Sequence, residues 1–227
     1  MKDNNKILIQ HVENNNFEQV FNLIKEKEVD IECLNSKNET PLITACKYGY
    51  HKISLLLISL RVKIDVTDDL EFSPLIYASA NNMIEVVENI LGYPFKDNNQ
   101  KKKIIEHKNI YGNNALLTAC YSASREIIDQ LIKNGANVNS KNKKGDTPLI
   151  AILTFNSKYR KGIIRLLIRK GALTNITNND LKSPVEFAWE SKNFAEITKI
   201  LIFEGGEIPP TNMMLKQDND FFKLEKL

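Results

Sequence analysis

Residues 144–152 read KGDTPLIAI, a threonine hydroxyl beside a carboxylate. Two kinds of chemistry fit that pair. Thr147 could be a nucleophile or a phosphate-handling group. Alternatively, with Pro148 behind it, its oxygen could cap the first turn of a helix and react with nothing. Other reactive side chains are sparse. His11, His51 and His107 stand far apart, each without a ligand pattern nearby. Cys33, Cys46 and Cys120 are odd in number and lack the C-x-x-C spacing of redox or zinc sites, which suits a reducing compartment better than a disulfide framework. There is no H-E-x-x-H, no G-x-S-x-G and no glycine loop ending in G-K-S or G-K-T. No catalytic residue, metal ligand or cofactor is expected.

The 227 residues suffice for a buried core, and 42% hydrophobic with 26% charged content is ordinary for a globular protein. A net charge of +3 does not by itself argue for nucleic acid. The N-terminal run "ILI" is too short for a secretory signal, and no run reaches the length of a membrane span. The expected state is soluble, monomeric and cytoplasmic or nuclear. Export by a route that needs no N-terminal signal stays open.

The elements that position Thr147 recur along the chain. Related triplets place Pro41, Pro74, Ala115, Pro148 and Pro184 at successive steps of 33, 41, 33 and 36 residues, a repeat array with insertions. Each triplet opens with a good N-cap, namely Thr40, Ser73, Asn114, Thr147 or Ser183. Four place proline at the first helical position, where no N–H is needed. Second helices follow with apolar residues at helical spacing, as in "ISLLLI" from Ile53 and "IIRLLI" from Ile163. Six residues before each triplet centre stands an Asx residue: Asn35, Asp68, Asn109, Asn142 or Asn178. Asn and Asp side chains fasten turns. Three residues before it, Gly112 and Gly145 suggest a positive φ that Asn38 tolerates and that strains Glu71 and Leu181.

With "GDTPLIAI" and "QLIKNGANVNSKNKKGDTPL" in hand, the chain resembles the ankyrin-repeat family over about residues 4–206. That resemblance implies an all-α solenoid of about six helix-turn-helix units with β-turn fingers, forming a single domain over residues 1–227. The units fall at about 4–36, 37–69, 70–110, 111–143, 144–179 and 180–208. The first is a degenerate cap, and the tail 209–227 would cover the open end with Met213, Met214, Phe221, Phe222 and Leu224, or else bind or swap onto another copy. The histidine usual in the family after "TPL" is absent; Ile43, Ile76, Leu117, Ile150 and Glu186 replace it, so packing should replace its hydrogen bonds. The segment around 95–103, "FKDNNQKKK", reads as a solvated loop or a basic contact element.

By the same resemblance, a protein or peptide partner would bind the concave face, at finger tips and first helices. The positions carried over are Tyr48, Leu70, Phe72, Ile110, Tyr111, Asn113, Tyr121, Lys143, Lys144, Asp146 and Phe155. Apolar and aromatic residues dominate the middle of that set, as binding patches do. Leu70 and Ile110 could instead pack finger against finger. A basic run in the fifth unit, Lys158, Arg160, Lys161, Arg165, Arg169 and Lys170, is either a solvated face or a site for an acidic surface or nucleic acid. A third reading makes the chain the recognition part of a larger assembly or of a secreted effector.

Overall fold

Every TPL-like triplet starts a helix. Thr40, Ser73 and Asn114 accept from the backbone N–H three residues on, at Ile43, Ile76 and Leu117, over 3.2, 3.3 and 3.0 Å. Thr147 and Ser183 do the same for Ile150 and Glu186, at 3.3 Å each. At Ser183 the arrangement is reciprocal, because its own N–H donates to the Glu186 carboxylate at 2.6 Å. Thr147 is therefore helix punctuation.

The structure, a computed structural model, describes residues 2–26, 29–154, 160–189 and 194–203. All regular elements among them are helices, in two compact units, Met1–Asn137 and Val138–Leu227. The first unit holds α1 (Lys2–Glu13), α2 (Phe17–Lys25), α3 (Pro41–Lys47), α4 (His51–Ser59), α5 (Pro74–Ala80), α6 (Ile84–Leu91), α7 (Asn98–Glu106), α8 (Ala115–Tyr121) and α9 (Arg125–Lys133). Here α1, α3, α5 and α8 pack in one row and α2, α4, α6 and α9 in another. The second unit holds α10 (Pro148–Thr154), α11 (Arg160–Arg169), α12 (Pro184–Trp189) and α13 (Phe194–Phe203), with α10 against α11 and α12, and α12 against α13.

Small residues explain the close rows: Ala45, Ala78 and Ala119 are fully buried, as is Ala188 in the second unit. Where the family's histidine would stand, Ile43, Ile76, Leu117 and Ile150 are buried. Packing has indeed taken over there, while Glu186 serves the cap. No helix among the described residues is long and apolar enough to cross a membrane.

The segment 95–103 differs from the loop expected of it. Most of it belongs to α7, capped by Asp97, whose carboxylate accepts from the Gln100 N–H at 2.7 Å. Ile104 and Ile105 bury the inner side of that helix, which is what holds it down. The expected tail contacts of Met213, Met214, Phe221, Phe222 and Leu224 lie outside the described residues.

Candidate partner-binding surface

Five fingers are built alike. The Asx side-chain oxygen accepts from the N–H groups two and four residues on. For Asn35 these belong to Lys37 and Glu39, for Asp68 to Leu70 and Phe72, and for Asn109 to Tyr111 and Asn113. Asn142 holds Lys144 and Asp146, and Asn178 holds Asp180 and Lys182. All ten distances fall between 2.8 and 3.1 Å. Each turn has a positive φ at the position read from the sequence, at Asn38, Glu71, Gly112, Gly145 and Leu181. For Glu71 and Leu181 that conformation costs about 1–2 kcal/mol each. Side chains beside a turn so fixed are presented, not left to wander.

In the first unit these fingers assemble an aromatic row. Phe72 stacks on Tyr77 with ring centroids 4.9 Å apart and meets the edge of Tyr111 at 6.3 Å. Tyr48 stacks on Tyr50 at 5.7 Å. Tyr48, Leu70 and Tyr111 are 50%, 47% and 55% exposed, too much for core residues of their size. Ile110, Asn113 and Tyr121 are half-buried. The Ile110 N–H donates to the Leu70 carbonyl at 3.2 Å, so these two fingers are joined by backbone, yet Leu70 remains exposed.

Under the row lies a polar floor whose pairing the sequence did not reveal. Glu39 is buried and takes Lys47 Nζ at 2.5 Å and the Asn35 amide at 2.7 Å. The Lys47 ammonium also sits 5.9 Å from the centre of the Tyr77 ring. The Glu39 hydrogen bond pushes the Lys47 pKa up. Tyr77 donates its hydroxyl to Asp68 at 2.6 Å; burial, then that bond, push its phenol well above the usual range. One signal was available: the third residue after the triplet centre is Thr44, Thr118 or Ala151 elsewhere, but an aromatic at Tyr77 and Phe187.

Two expected contact positions are occupied otherwise. Asp146 is buried, because its carboxylate accepts from the Asn178 amide of the next finger at 3.0 Å. Arg160 is buried too, donating to the Leu153 carbonyl at 3.3 Å, so it is no part of a basic surface. Lys161 is paired with Glu196, whose carboxyl that bond holds below its ordinary range. Arg165, Arg169, Lys170, Lys143 and Lys144 are exposed. Phe155 and Lys158 lie outside the described residues.

Among the described residues no group of three or more His, Cys, Asp or Glu could hold a metal ion. All three cysteines are buried. Burial raises Cys33 to about 11 and Cys46 to about 12, and lifts Cys120 well above the thiol range, the reverse of an activated nucleophile.

Comparison with known proteins agrees with this geometry. The family model for ankyrin repeats in three copies matches residues 8–103 and 116–212. An Escherichia coli ankyrin repeat protein, YahD, is 27% identical over 180 residues, spanning 78% of this chain and 85% of that protein. A Fowlpox virus ankyrin repeat protein is 31% identical over 184 residues, covering 72% of this chain and 51% of that longer relative. A crystal structure of an ankyrin repeat domain from Acinetobacter baumannii superposes with a TM-score of 0.75 at 23% identity, over 88% of this chain and 98% of that one.

Proposed function

Since the chain belongs to the ankyrin-repeat family, whose repeats are generally protein–protein interaction modules on a generally non-enzymatic fold, we propose that it is a non-catalytic module binding a protein or peptide segment. The segment lies across the finger tips and first helices of the first unit, on Tyr48, Leu70, Phe72, Ile110 and Tyr111, with Asn113 and Tyr121 beside them. The single observation that carries this is the run of rings in which half-buried Phe72 packs between half-buried Tyr77 and exposed Tyr111, on fingers already fixed by their own hydrogen bonds. Large side chains held in place before binding lose little freedom on contact, which is what makes aromatic hot spots strong.

The test compares wild type with Phe72→Ala/Tyr111→Ala in capture followed by mass spectrometry. The variant keeps its helical circular dichroism and loses the specific partners. Undiminished capture by a folded variant refutes the assignment. Capture that falls steeply with salt, yet ignores the double variant, would favour instead the exposed Arg165, Arg169 and Lys170 as a site for an acidic surface.

A further inference from the structure

At one place in this row both a ring and two carboxylates stand uncovered. At four rings the chain places its own cation: Lys47 over Tyr77 at 5.9 Å, Arg61 over Tyr93 at 5.5 Å, and Lys101 over Phe95 and Lys182 over Phe187 at 5.7 Å each. Exposed Tyr48, stacked on Tyr50, has none among the described residues, but it also has no such pair of uncovered carboxylates on its finger, where Glu39 is held by Lys47. The Tyr111 ring meets the ring of Phe72, and among the described residues no cation lies over it. On the neighbouring tip Asp69 and Glu71 are exposed on either side of Leu70. Neither carboxylate has an ion-pair or hydrogen-bond partner among the described residues, in contrast to Glu39 and Asp68, which are engaged by Lys47 and Tyr77. The two tips are held together at both ends. Ile110 N–H donates to Leu70 O at 3.2 Å, and His107 Nε2–H donates to Glu71 O at 2.8 Å.

Building on the groove reading, we propose that these tips receive an arginine side chain of the partner segment, next to an apolar residue. The guanidinium stacks on Tyr111 and directs its donors at Asp69 and Glu71, while the apolar neighbour covers Leu70 and Phe72. Arginine fits better than lysine because its planar fork can stack on a ring and donate sideways to carboxylates at the same time. The cation is single. Lys37 is exposed on the preceding tip, and Lys108, which makes contacts within the chain, follows His107, so a polybasic segment would meet like charge on both sides.

The experiment selects short random peptides on phage against the full chain, then titrates the best peptide calorimetrically against variants checked for folding. The expected result is arginine beside an apolar residue at a fixed position. Asp69→Asn/Glu71→Gln then weakens binding about tenfold, and lysine in place of the peptide's arginine also weakens it. Selected peptides without a basic residue, or with equal affinity for the neutralised variant, overturn the inference while leaving the groove reading intact if Phe72→Ala/Tyr111→Ala still abolishes binding. Peptides indifferent to that double variant overturn both.

Discussion

Gly145 is the position where one residue's lack of a side chain matters most. Its φ is +77°, and a Cβ there would lie 2.5 Å from Asn179 Oδ1 and 2.8 Å from Asn179 N on the next finger. Gly135 also has positive φ, +95°, but nothing within 4 Å of a would-be Cβ. Alanine at Gly135 pays the backbone penalty alone, about 1 kcal/mol, whereas Gly145→Ala should lose about 3 kcal/mol because the finger must also move. Urea unfolding of the two variants measures the difference, and equal losses would show that close approach does not matter. The sequence announced Gly145 through its turn, but the approach of Asn179 is a neighbour's contribution and was not legible. The same holds for Asp146 and Arg160. Residue type marked both as surface groups, while the Asn178 amide and the Leu153 carbonyl drew them inside.

Among the elements, the paired helices were readable because cap, proline and small residue recur in one order, and α7 was not. Its run Lys101-Lys102-Lys103 resembles solvated loop, and only two apolar residues, Ile104 and Ile105, carry the helix inward. A local signal was nonetheless present. Asp97 and Gln100 stand at cap-and-third-residue spacing; Asp97 takes the Gln100 N–H and Gln100 Oε1 takes the Lys96 N–H at 2.8 Å. Asp97→Ala should therefore cost about 1 kcal/mol and speed amide exchange within Asn98–Glu106 first. Unchanged exchange in those amides would mean that the cap is dispensable and that Ile104 and Ile105, with the Lys101–Asn134 and Glu106–Asn137 hydrogen bonds, hold the helix. The residues of the proposed partner-binding surface were legible in part: finger tips came from the period, but the pairing of Glu39, Lys47, Asp68 and Tyr77 beneath them exists only after folding.

For the molecule as a whole, burial of proton-bearing groups sets the behaviour in alkali. In the first unit Cys33 rises to about 11 and Cys46 to about 12 from 9.0, and Cys120, Tyr77 and Lys47 are raised as well. Each group holds its proton more tightly folded than unfolded. Below the unfolded thiol value both states are protonated and this stabilisation is fully present. As pH climbs, the unfolded chain releases protons first, and stability is lost up to the folded values. The urea midpoint should change little from neutrality to about pH 8.5 and fall steadily above it. Cys120→Ala should lessen that fall, and an unchanged slope would exclude the thiol as a source.

The fingers also carry a rule for anyone redesigning them. An amide and an acid are interchangeable as turn fasteners, since Asp68 holds two N–H groups just as Asn109 does. They stop being interchangeable where the amide's nitrogen faces a carboxylate, as Asn35 faces Glu39 and Asn178 faces Asp146. At those two fingers the letters are spelled in pairs. Changing one alone, whether by an engineer or by slow hydrolysis of the amide on storage, sets two negative charges against each other at the root of a finger.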